Sequence, residues 1–72
     1  MTRSEYLEWC KNRALEYVDT GDLPQAFASF QSDMSKNEET SGHVGLGLFS
    51  EMFFGGLLSA PNEMRKFIIG FN

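Results

Sequence analysis

Residues 14–30 read Ala14-Leu15-Glu16-Tyr17-Val18-Asp19-Thr20-Gly21-Asp22-Leu23-Pro24-Gln25-Ala26-Phe27-Ala28-Ser29-Phe30, and this stretch decides the fold. Before it, Leu7, Cys10, Ala14 and Val18 recur at three, four and four residues, which is one apolar stripe of a helix. Gly21 stops that helix because a glycine enters the left-handed region without steric cost. Asp22 is placed to cap the next helix, and Pro24 falls in its first turn, where a missing amide costs nothing. Leu23, Ala26, Phe27, Phe30 and Met34 then form a second stripe. A helix, a tight turn and a helix follow from these residues alone.

Working outward, Thr2-Arg3-Ser4-Glu5 fits a capping box that opens the first helix. The polar run from Ser35 to Gly42 reads as a connector. A third helix should carry Val44, Leu48, Phe49, Met52 and Phe53 and stop at Gly55-Gly56. A fourth, opened by Ser59 and Pro61, should carry Met64, Phe67, Ile68 and Phe71. Shifting the chain by 37 residues lays Asp22 on Ser59, Pro24 on Pro61, Phe27 on Met64, Phe30 on Phe67 and Met34 on Phe71. The expected fold is all-α: four short helices in two antiparallel hairpins, hairpin one over about 3–35, the connector over 36–42 and hairpin two over about 43–71, in one small domain. Its expected core is Leu7, Ala14, Val18, Ala26, Phe27, Phe30, Leu48, Phe49, Met52, Phe53, Met64, Phe67, Ile68 and Phe71.

Composition narrows the function classes. The 72 residues are 42% hydrophobic and 14% aromatic, with ten acids against six bases and a net charge of −4. That is too apolar for a disordered chain and too acidic for a broadly basic surface that neutralises phosphates, so direct nucleic-acid binding is not expected. Val44–Ala60 is the most apolar segment, but it carries Glu51 and several glycines, so a core helix is expected there and no membrane association. Cys10 is the sole cysteine, which suits a reducing cytosol.

The first hairpin resembles a tetratricopeptide repeat. That motif places an aromatic four residues before the turn glycine, a small residue five after it and an aromatic nine after it; Tyr17, Ala26 and Phe30 stand there. The resemblance implies close helix packing at Ala26, with the aromatics filling the seam. The chain departs from the motif at Cys10, Arg13 and Asp33, where tryptophan, leucine and alanine are preferred. The whole chain also resembles a group of short, uncharacterised proteins of tailed bacteriophages. The carrying residues are Met1–Cys10, Arg13–Asp19, Gly21-Asp22-Leu23, Glu39-Thr40-Ser41-Gly42-His43 and Met64–Asn72. This resemblance implies a phage origin, an accessory role and a place in the host bacterial cytoplasm.

No catalytic, cofactor-binding or metal-ligating residue is expected. Cys10 with His43 could form a thiol–imidazole pair, but Cys10 lies on the apolar stripe and reads as buried and inert. Glu38, Glu39 and His43 lack a further ligand at zinc spacing, and Asp19, Asp22 and Asp33 form no calcium loop. Gly42–Gly47 follows no strand and lacks the lysine and hydroxyl of a phosphate loop. Its glycines read instead as sites of close helix approach. Trp9 and Tyr6, at the stripe's edge, are packing flanks or interface anchors.

The expected function is therefore non-covalent: a phage accessory protein that binds and inhibits a host protein, such as a defence or nucleic-acid-processing factor. The alternative is a small homo-oligomeric scaffold or ligand-sequestering protein whose site forms between subunits. A homodimer or higher homo-oligomer is expected in either case, because the third helix is apolar beyond one face. Its expected interface is Gly45, Leu46, Gly47, Phe49, Phe53, Phe54, Leu57, Leu58 and Ile69.

Overall fold

Thr2 caps the first helix in both directions: its Oγ1 accepts from the Glu5 amide at 3.1 Å, and its own amide donates to Glu5 Oε1 at 2.7 Å. The computed structural model describes residues 1–71 and contains helices only, with no strand among the described residues. The helices are α1 (Arg3–Asp19), α2 (Leu23–Ser35), α3 (Glu38–Ser41), α4 (Val44–Phe54) and α5 (Pro61–Ile69).

The two glycine stops share one physical device. At Gly21, φ is +80°, the Gly21 amide donates to Val18 O and the Asp22 amide reaches back to Tyr17 O. At Gly56, φ is +82°, with matching bonds to Phe53 O and from Leu57 N to Met52 O. These paired bonds satisfy the last carbonyls of α1 and α4, and both need a left-handed residue.

Two starts differ from expectation. The connector contains a short helix, α3, because Asn37 Oδ1 accepts from the Glu39 amide at 2.8 Å and two glutamates favour the positive helix start. Thr40 of α3 is fully buried and donates to Met34 O at 2.6 Å, which closes the end of α2. In α5, Pro61 opens the helix after Ala60, and no side chain caps it, so Ser59 is not the cap that the repeat suggested. The internal match slips by one residue there, because Asp22 sits directly before α2 and Ser59 does not sit directly before α5.

Packing follows side-chain size. Ala14 and Ala26 are fully buried and let α1 and α2 approach closely. The pair is antiparallel, since Tyr6 near the start of α1 donates its hydroxyl to Asp33 O near the end of α2. Helix α5 also runs antiparallel to α1: Lys11 Nζ donates to Ile69 O at 3.0 Å, and Arg65 Nη2 meets Asp19 Oδ1 at 2.7 Å. Lys11 thereby places a cation on the negative end of α5.

Helix α4 attaches by rings rather than by backbone proximity. Phe49 is fully buried, edge-on to Phe27 and Phe30 and stacked on Phe67 at 5.0 Å. Phe53 stacks on Phe27 at 4.4 Å. Gln31 Nε2 adds polar bonds to Leu46 O (2.9 Å) and Ser50 Oγ (3.0 Å). Phe49 beside Phe67 and Gly45 beside Phe71 make α4 and α5 the second antiparallel hairpin.

The expected core needs correction on α4. Leu46, Phe49 and, half-buried, Phe53 face inward, while Leu48 is 51% exposed. Leu58 is also buried, as are Leu23 and Met34. Phe27, Met52 and Phe67 are only partly buried. Apolar residues extend beyond one face of α4, so the pattern left Leu48 and Leu46 both open to burial, and side-chain fit buries Leu46.

Candidate protein-binding surfaces

The outer flank of α1 is built on a buried carboxylate. Asp33 is 2% exposed and projects from α2 toward α1. Arg13 Nε donates to its Oδ2 at 2.7 Å, and Lys36 Nζ stands 3.8 Å from Oδ1. The carboxylate raises the Arg13 pKa further, chiefly through that hydrogen bond. Arg13 is thus held in place and lies over the Trp9 ring, 4.8 Å from its centroid. The Tyr6 ring lies 5.5 Å from the Trp9 ring.

This assembly leaves Trp9 40% exposed and Tyr17 38% exposed. With Arg13, whose side chain is half exposed, they form a row at i, i+4 and i+8 along α1. Beside Trp9 lies an open groove of about 470 Å³, lined by Met1, Ser4, Glu5, Glu8, Trp9 and Asn12. The Glu5 carboxyl is held below its ordinary pKa, first by the Thr2 amide that donates to it. Of the residues that carry the tetratricopeptide likeness, Ala26 and Phe30 are fully buried and Tyr17 is partly exposed.

Cys10 belongs to the same neighbourhood. It is fully buried, and desolvation, with the Asp33 charge beside it, pushes its thiol up to about 11. His43 caps α4: its Nδ1 accepts from the Gly45 amide at 2.9 Å, and its ring lies 4.5 Å from that of Phe71. Among the described residues, no three His, Cys, Asp or Glu side chains are grouped to hold a metal ion.

The expected interface residues separate into two sets. Leu46, Phe49 and Leu58 are buried in the chain's own core and offer no surface to a second copy. Gly45 is committed to an internal contact, since a Cβ there would lie 2.8 Å from the Phe71 ring. Phe53 is half-buried against Phe27. Phe54 (77% exposed), Leu57 and Ile69 are on the surface, joined by Val44 and Leu48, which the interface expectation omitted. Gly47 has open space around it. A second groove, of about 490 Å³, runs between α4 and α5, with Leu48, Phe67 and Phe71 as its apolar walls and His43 and Lys66 at its edge.

Of the row on α1, only Trp9, with Tyr6, stood out in the sequence as a packing flank or interface anchor; Arg13 and Tyr17 did not. Its signal was present: Cys10, Arg13 and Asp33, the three departures from the repeat motif, converge on one spot beneath Trp9. No helix of the described residues is long and apolar enough to cross a membrane. No protein-family model matches this chain, and no curated protein or solved structure resembles it significantly.

Proposed function

We propose that this protein acts by non-covalent binding to another protein through the Trp9–Arg13–Tyr17 row of α1. The observation that carries the reading is the clamping of Arg13 between buried Asp33 and the Trp9 ring. Tryptophan, tyrosine and arginine are the residue types that dominate interface energetics. A pre-ordered row also lowers the entropic cost of docking, about 0.5–1.5 kcal/mol for each side chain already immobilised. The likeness to short tailed-phage proteins supports a host protein as the partner, inhibition as the outcome and the host cytoplasm as the place. Self-association through the exposed apolar residues of α4 and the following turn is part of the same proposal.

The test is capture from lysate of a susceptible host by the tagged chain, by Trp9→Ala/Tyr17→Ala and by Phe54→Ser. A host protein held by the wild type and by Phe54→Ser, lost with the double variant and inhibited by the purified chain, supports the reading. Capture unaffected by the double variant refutes the assignment to α1.

A further inference from the structure

We propose that the groove beside Trp9 receives a lysine or arginine side chain of the partner, so that docking is led by a basic segment of a protein. This rests on the reading of α1 as the binding surface and specifies its chemistry.

The groove pairs an indole with two carboxylates. Trp9, partly exposed, supplies indole surface, and Glu5 and Glu8 are the charged side chains that line the groove. The chain itself shows what this ring accepts, because Arg13 already sits over it. A cation entering from outside would meet the indole and a carboxylate together, the pairing that retains a basic side chain once water is displaced.

Charge on the rest of α1 points the same way. Its cations are turned to other tasks: Lys11 is buried with its ammonium on Ile69 O, and Arg13 is neutralised by Asp33. Arg3 does not line the groove. Glu5, Glu8 and Glu16 remain exposed along the flank, on a chain of net charge −4. Met1 also lines the groove, and Glu8 stands 3.8 Å from Lys11 Nζ. An acidic segment would be repelled from this flank, and an apolar one would offer the Glu5 and Glu8 carboxylates no opposite charge.

Trp9 is the sole tryptophan, so its fluorescence reads the groove directly. The full chain is titrated with a capped peptide of alternating arginine and leucine, and with the same peptide carrying glutamate for arginine. The expected result is a saturable change in Trp9 emission with the arginine peptide only, weakened by added salt. Glu8→Lys should weaken it roughly five- to tenfold, about the effect of reversing one rim charge. Glu8→Gln, which removes the charge with less risk to the helix, should fall between the two. Absence of saturation up to millimolar peptide, an equal response to the glutamate peptide, or unchanged affinity in both Glu8 variants overturns the proposal. A host protein that is lost with Trp9→Ala/Tyr17→Ala but still binds Glu8→Lys overturns this inference while leaving the proposed function standing.

Discussion

Two glycines in α4, two residues apart, should respond to alanine in opposite directions. At Gly47 an added Cβ meets nothing within 4 Å and the backbone is ordinary helix, so only the conformational effect remains. Alanine there should stabilise by about 0.5–1 kcal/mol. At Gly45 the same Cβ would lie 2.8 Å from Phe71 Cε2 and Cζ and 3.0 Å from His43 Nδ1. Carbon atoms rest at about 3.5–4.0 Å, so the ring must retreat by more than half an ångström. It has little freedom to do so: Phe71 is buried, edge-on to Phe30 at 5.0 Å, with His43 on its other side. Overpacking of this kind costs about 1–3 kcal/mol, offset by about 0.5 kcal/mol of helix preference in the first turn. Gly45→Ala should therefore lose about 1–2 kcal/mol, leaving the two variants about 1.5–3 kcal/mol apart. For a domain of this size that separates their melting temperatures by about 6–24 °C. Urea denaturation followed by far-ultraviolet dichroism, at a concentration where light scattering finds one mass in all samples, measures both. Two variants within 0.5 kcal/mol of each other, or a stabilised Gly45→Ala, would refute the assignment of Gly45 to the Phe71 contact.

Further outcomes follow from the same geometry. Arg13→Ala leaves Asp33 buried with only Lys36 nearby, at 3.8 Å, and should cost about 1–3 kcal/mol, the lower part of the range for an abandoned buried charge because Arg13 is half exposed; a loss under 0.5 kcal/mol would show that the clamp adds nothing. Cys10 should resist iodoacetamide at pH 8 until the chain unfolds, and labelling at the rate of a free thiol would contradict its burial. Because folding holds that thiol protonated, its contribution is complete below pH 9 and is lost as pH climbs toward about 11; stability should fall across that window, and less so in Cys10→Ala. Light scattering at micromolar concentration should give a mass above the 8.1 kDa of one chain, and Phe54→Glu should return it to that value; a wild-type chain already at 8.1 kDa removes self-association from the proposal.

The all-helical architecture, the capping box at Thr2, the Asp22 cap and the stops at Gly21 and Gly55-Gly56 were legible in the sequence, because each rests on interactions within one or two turns. The same holds for the inward stripe of α1, where polar residues on the opposite side fix the direction of burial. Tertiary structure alone decided the rest. Helix α4 carries apolar residues beyond one face, so its rotation was set by the fit of Phe49 against Phe27 and Phe30 of α2 and Phe67 of α5, with Leu46 buried and Leu48 turned outward. Gly45 and Gly47 are equivalent as residues and differ only in whether Phe71, 24 or more positions away, arrives beside them. The row on α1 depends on a contact across 20 residues between Arg13 and Asp33, which no local pattern encodes. A sequence carries the periodicity of a helix in its own neighbourhood, but which apolar face is buried, and which charged side chain is pinned beneath an exposed tryptophan, is set by the helices that pack against it.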